Sequence, residues 1–146
     1  MGRPAGRIYP WGNEWAPGLS NTADSRLNGA CPVTQFSPQG DSSYGIADMA
    51  GNVQSWCSSL FDSYPYDPTD GREVLVYAAD HASLLPSFRE TGAIANAERF
   101  EANAGKQTLR GGSWRGHRQE ARCAYRSWAA PMHRSDDTGF RCCYEP

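Results

Sequence analysis

"RGGSWRGHRQEARCAYRS", residues 110–127, sets two framed ends around a stretch of unrelated chemistry. At one end, paired glycines precede the bulky Trp114; at the other, Arg122 and Arg126 flank Cys123 and Tyr125. The seven residues between, Arg115 to Ala121, mix cations, an imidazole, an amide and an acid with no helix or strand period. Glycine reaches positive φ at no steric cost, so Gly111-Gly112 reads as a turn. "KQTLR" before it reads as a strand entering that turn. "ARCAYRSW" alternates small or aromatic with polar residues, as a half-buried strand does. "TGFRCCY" closes the chain as a third strand.

Outward from this segment, turn signals dominate. "PWGNEWAPG", "NGACP", "FSPQGDSSYG" and "AGN" punctuate residues 8–60, leaving short strand candidates at Val33–Phe36 and Val53–Cys57. One helix is expected, Ala93–Asn103, from its composition and the following Ala104-Gly105. The 15 Gly and 10 Pro among 146 residues exceed the usual combined share of about 12%. Five Trp and seven Tyr supply large amphipathic packing pieces suited to a loop-rich fold. The length fits a single domain, 1–146, of α+β class with a small, mostly antiparallel sheet. A net charge of −2 without charge runs gives no support to a nucleic-acid partner, and no apolar run reaches membrane-span length. The first twelve residues hold no apolar signal core.

The cysteines are Cys31, Cys57, Cys123, Cys142 and Cys143; an odd count without CxxC argues against a zinc or dithiol site. The spacing leaves open whether one of the adjacent pair bridges Cys123 or all remain buried thiols. His81, His117 and His133 have no metal-ligand spacing and no neighbouring carboxylate triad. Ser113 stands near His117, but within the RGGS turn, where a structural role outweighs a nucleophilic one.

"YPWGNEW", "YGIADMAGNVQSWC" with "YPYDPTDGRE", and "LRGGSW…RCAYR…P..R….GFR", in that order, resemble the formylglycine-generating, or sulfatase-modifying-factor, family. The resemblance runs from Ile8 to Arg141, with an insertion near 77–104. It implies a C-type-lectin-like fold, a small twisted sheet among long ordered loops, truncated at the N-terminus relative to the family. A further chain completing the domain is one partner this implies.

Family members that oxidise a substrate cysteine carry one cysteine two residues after the aromatic of the GGS-aromatic turn and another five further on. Those positions are Gly116 and Ala121 here, and the stretch before RCAYR is shorter by about three residues. Thiolate chemistry at copper lacks its ligands at these positions. Cys123 belongs to the frame. The ergothioneine-type branch of the family holds its iron on a separate helical domain.

The resemblance implies that Arg110, Gly111, Gly112, Ser113, Trp114, Arg122, Tyr125, Arg126, Pro131, Arg134, Gly139, Phe140 and Arg141 form a rigid frame, with buried arginines holding loop carbonyls. Within the segment 110–141 the expected ligand-binding positions are Trp114, Arg115, Gly116, His117, Arg118, Gln119, Glu120, Ser127, Trp128, Ala129, Ala130, Met132, His133, Ser135, Asp136 and Asp137. Rigid loops with freely chosen side chains are how binding surfaces are built. The pattern is also similar to variable proteins of diversity-generating retroelements. The readings are a diversified binding module, an undiversified binding or scaffold module, or a formylglycine-generating or ergothioneine-type metal-dependent oxidoreductase; the ligand would be a protein or another surface.

The family also implies calcium as a cofactor, held by the Asp48 side chain, the Gly51 and Val53 carbonyls and a carboxylate where Ser55 stands; without that carboxylate the site is expected to be weak or empty. Asn21 matches a ligand of a second calcium site whose acidic loop is shortened here to "RLNGACP".

Overall fold

The computed structural model describes residues 6–67, 72 and 106–142. Its strands are β1 (Gln54–Leu60), β2 (Gln107–Arg110), β3 (Arg126–Ala129) and β4 (Thr138–Gly139), and one 3-10 turn spans Ala23–Ser25. They form a small, mostly antiparallel four-stranded sheet in the order β3-β2-β1-β4. β4 pairs parallel to β1, Gln54 beside Thr138 and Ser55 beside Gly139. The rest of the described chain is long loop, as the Gly and Pro content requires.

Three expected strands shorten or disappear. Val33–Phe36 is a run of turns, with Gln35 N–H on the Pro32 carbonyl and Gly40 N–H on that of Phe36. Its β-branched residues have no neighbouring strand to pair with, and β propensity without a partner decides nothing. "ARCAYRSW" pairs only from Arg126, because Tyr125 N–H closes a turn on the Arg122 carbonyl. Among the described residues of "TGFRCCY", 138–142, only Thr138 and Gly139 are strand. The helix expected at 93–103 and the insertion at 77–104 lie outside the described residues.

The chain divides into two compact units. The first comprises Met1–Trp56, Leu109–Arg126 and Arg134–Pro146. Tyr9, Ala50 and Ala121 are its buried apolar cluster, with Trp11 and Trp15 packed against them. "YPWGNEW" builds this cluster locally. Tyr9 and Gly12 exchange backbone bonds across Pro10-Trp11, and the turn stacks Tyr9 on Trp11 at 5.5 Å with Trp15 tilted against both. Cys123 N–H reaches the Ile8 carbonyl at 2.7 Å, tying the RCAYR frame to this turn.

The centre of the first unit is polar. Asn21, fully buried, donates its side-chain amide to the Gly29 carbonyl at 2.8 Å and contacts Asn52 Oδ1 at 3.3 Å. Asn52 N–H donates to the Asn21 carbonyl, Gly51 N–H to the Gly111 carbonyl, and Trp114 N–H to the Asn52 carbonyl. A Cβ on Gly51 would collide with the Asn21 carbonyl, so glycine is required there. Asn52 itself sits at φ 62°, a left-handed conformation that asparagine tolerates better than most residues.

The second unit comprises Cys57–Thr108 and Ser127–His133. Among its described residues Leu60 is the most buried apolar side chain, and Leu60 N–H bonds the Arg72 carbonyl. Arg72, 3% exposed, donates to the carbonyls of Ser63 and Pro65 and lies over the Tyr66 ring. Gln107 donates to the Cys57 and Ser58 carbonyls.

The glycine turn has the expected conformation, with φ 93° at Gly111 and 70° at Gly112. A Cβ on Gly112 would stand 2.8 Å from the Glu120 carbonyl oxygen. Gly112→Val is therefore expected to lower unfolding free energy by at least about 1–3 kcal/mol, the usual cost of holding a side chain in such a conformation. A chemical melt measures it, and a melt unchanged from the parent protein would contradict the strained turn.

Candidate functional site

Within the first unit, the loop after the glycine turn is organised by three acids. Glu120 receives His117 N–H at 3.3 Å and the Tyr125 hydroxyl at 3.2 Å. Its carboxylate lies 3.0 Å from where a Cβ on Gly116 would stand. Ala121, the second position at which the oxidases carry cysteine, is 1% exposed within the apolar cluster. Both positions are thus interior, and the space beside Gly116 is occupied by a carboxylate.

Asp136 accepts a bidentate pair from Arg115, 2.8 and 2.9 Å, while the guanidinium lies 4.2 Å over the Trp114 ring. Trp114 Nε1–H reaches the Asp136 carbonyl at 3.5 Å. The pair is more than half exposed, so it orders the loop while contributing little to stability. His117, Arg118 and Gln119 are exposed beside it.

Asp137 does the opposite. It is buried, accepts Ser113 Oγ–H at 2.9 Å, and takes a very short bond from Ser135 Oγ–H. Burial pushes its carboxyl upward, but the bonds from Ser135 and Ser113 and the charge of Arg115 outweigh it and hold the group below the ordinary carboxylate range. Ser113 is thereby a positioning hydroxyl of the turn, committed to Asp137.

In the second unit, Trp128 is about half exposed with Lys106 Nζ 4.5 Å above its ring. Met132, His133 and Ala130 are exposed, and Ser127 is partly so. Three expected display positions are instead interior: Gly116, Ala129 and Asp137 are buried. Gly116 and Asp137 hold the loop from inside, and Ala129 is the inward residue of β3. The frame arginines, expected to be buried, are not: Arg122, Arg134 and Arg141 are exposed and Arg110 and Arg126 are partly so. They nevertheless hold loop carbonyls from the surface, Arg110 that of Cys123, Arg122 that of Gln119 and Arg141 those of Ala47 and Asp48.

The residues to which the resemblance assigned calcium belong to the hydrogen-bonded centre. Asn21 Oδ1 accepts Ser25 Oγ–H, and Asp48 Oδ2 accepts Asn52 Nδ2–H at 2.7 Å. Burial pushes the Asp48 carboxyl up, and the Asn52 bond and the charge of Arg141 do not cancel that rise. The Ser25 hydroxyl and the Asn52 amide donate to oxygens a cation would need, and the fit to calcium is poor. Gly51 lies at the Asn21 contact and Val53 packs near Gly139. Among the described residues no three His, Cys, Asp or Glu side chains gather, and Cys31, Cys57, Cys123 and Cys142 are free thiols. Among the described residues no helix is long and apolar enough to cross a membrane.

A small sheet carrying long, internally bonded loops defines a lectin-like α+β fold. The sulfatase-modifying factor enzyme 1-like domain matches residues 2–146, and the chain belongs to that family. It is 32% identical over 154 residues to a formylglycine-generating enzyme of Streptomyces coelicolor, covering 94% of this chain and 40% of that protein. It is 35% identical over 72 residues to the inactive C-alpha-formylglycine-generating enzyme 2 of Bos taurus, covering 42% of this chain and 23% of that one. The chain therefore spans less than half the length of these relatives. Among solved structures it shares the fold of Treponema denticola variable protein 1, with a TM-score of 0.54 and 20% identity over 84% of this chain and 34% of that chain.

The lowered Asp137 pKa gives a sign for acid stability. A depressed carboxyl stabilises the fold above its ordinary value near 3.8, and that contribution is lost as pH falls through the folded value. Asp137→Asn should cost about 1–3 kcal/mol at neutral pH, the worth of hydrogen bonds to a charged group, and should flatten the acid limb of the melting profile. Melts of both proteins from pH 7 to 3 test this; parallel profiles would contradict it.

Proposed function

We propose that this chain is a non-catalytic ligand-binding module of the sulfatase-modifying-factor family, presenting Trp114, Arg115, His117, Arg118, Gln119 and Asp136 from one unit and Trp128, Met132 and His133 from the other. The observation that carries the reading is at Gly116 and Ala121. The first has a carboxylate in the space a cysteine would take, and the second is packed into the apolar cluster. Thiolate chemistry needs an accessible sulfur in an electropositive setting, and neither position supplies one. The exposed residues have the composition of a paratope, with Trp and Arg as the anchors that dominate binding energy. The likeness in fold to a variable protein supports the finer part of the proposal, that these positions are diversified by a retroelement.

The ligand is a protein or another macromolecular surface, since the presented side chains stand on exposed loops. Two measurements test the reading. A sulfatase-type peptide containing cysteine, incubated with the protein, copper and oxygen, should keep its thiol by mass spectrometry; a formylglycine product would overturn the binding-module reading. Randomising Arg115, His117, Arg118, Gln119 and Asp136 together should shift unfolding free energy by no more than about 0.5 kcal/mol per position, the usual cost of exposed substitutions. A library whose members mostly unfold would overturn the display surface.

A further inference from the structure

The first unit contains a cavity of about 470 Å³ away from the presented loop residues. Its size falls in the range of small-molecule sites. Tyr9, Tyr44, Ile46 and Met49 give it an apolar wall, and Arg7, Arg110 and Arg122 line it from three separate segments. No Asp or Glu is among the described lining residues. Three guanidiniums with no carboxylate among those residues make an electropositive pocket, and guanidinium forks match carboxylates bidentately.

The arginines are placed by backbone rather than by counter-ions. Arg7 donates to the Pro10 carbonyl, Arg110 to that of Cys123, and Arg122 through Nε to that of Gln119. Each of these bonds uses one nitrogen of a five-donor group, so each guanidinium retains donors. The Cys123 thiol on the same wall senses the field: burial raises its pKa, and Arg110 and Arg7 pull against that rise.

We infer that this cavity binds a small organic carboxylate with an apolar body, the body against Tyr44, Ile46 and Met49 and the carboxylate on the arginines. This site is distinct from the presented loops and does not depend on their function. An apolar body is required because the guanidiniums alone are open to water, where an anion gains little. The carboxylate is required because the apolar wall alone does not discriminate charge.

The probes are 4-phenylbutyrate and its neutral counterpart 4-phenylbutan-1-ol, with inorganic phosphate as a bodiless anion, each titrated by calorimetry against the whole chain. The acid should bind with a Kd below about 1 mM, at least about tenfold tighter than the alcohol or phosphate, and should slow alkylation of Cys123 read by peptide mass spectrometry. Arg7→Gln with Arg122→Gln should remove the acid's advantage and leave the alcohol unchanged. Tyr44, 87% exposed, can be replaced without loss of a core contact, and Tyr44→Ala should weaken acid and alcohol alike. Equal binding of acid and alcohol, phosphate as tight as the acid, or no acid binding at millimolar concentration would each overturn the inference.

Discussion

The contact between Asn21 and Asn52 is the constraint on which the first unit depends. Asn52 N–H holds the Asn21 carbonyl at 2.7 Å, and the two side-chain amides meet behind it. From this node the Asn52 side chain reaches the Cys31 carbonyl and Asp48, while its own carbonyl receives Trp114 N–H. Four stretches distant in sequence, around residues 21, 31, 52 and 114, are joined by amide groups rather than by apolar burial. A buried polar network of this kind is costly when half made and rigid when complete. It explains how a unit with so few buried apolar side chains fixes the entry and exit of a long loop.

What the loop carries is decoupled from what holds it. The bonds that fix it come from backbone groups, from buried Ser113 and Asp137 and from half-buried Glu120, whose partners lie inside the unit. The exposed residues bond chiefly to one another, as Arg115 does to Asp136. Exchanging that pair removes a weak surface bridge and leaves the frame's hydrogen bonds in place. On the proposed reading, such a division lets the exposed positions vary without loss of fold.

Much of this was legible in the sequence. The paired glycines, the turn signal in "PWGNEWAPG", the strand entering the glycine turn and a strand at Val53–Cys57, which runs from Gln54 to Leu60, follow from local rules of backbone freedom and alternation. Family membership followed from three ordered blocks. What local pattern missed was whatever depends on partners far along the chain. Val33–Phe36 has strand composition and no strand beside it, and Asp137 looks like a surface acid until Ser113 is brought to it. Arg7, Arg110 and Arg122 are separated by too much sequence for their shared cavity to leave a signal. The calcium ligands are what the resemblance implies, whereas here Asn21 Oδ1 accepts the Ser25 hydroxyl and Asp48 Oδ2 the Asn52 amide.

The central claim is that the amide node, and not the loop it supports, sets the stability of the first unit. Native-state hydrogen exchange of the backbone amides of Gly51, Asn52 and Trp114 tests it directly, because the slowest amides report opening of the cooperative unit. These three should exchange among the slowest in the chain, at rates matching global unfolding, and should keep them when Arg115, His117, Arg118 and Gln119 are replaced together. Exchange of Asn52 and Trp114 as fast as that of Arg118 and Gln119, or acceleration on replacing those exposed residues, would contradict the account.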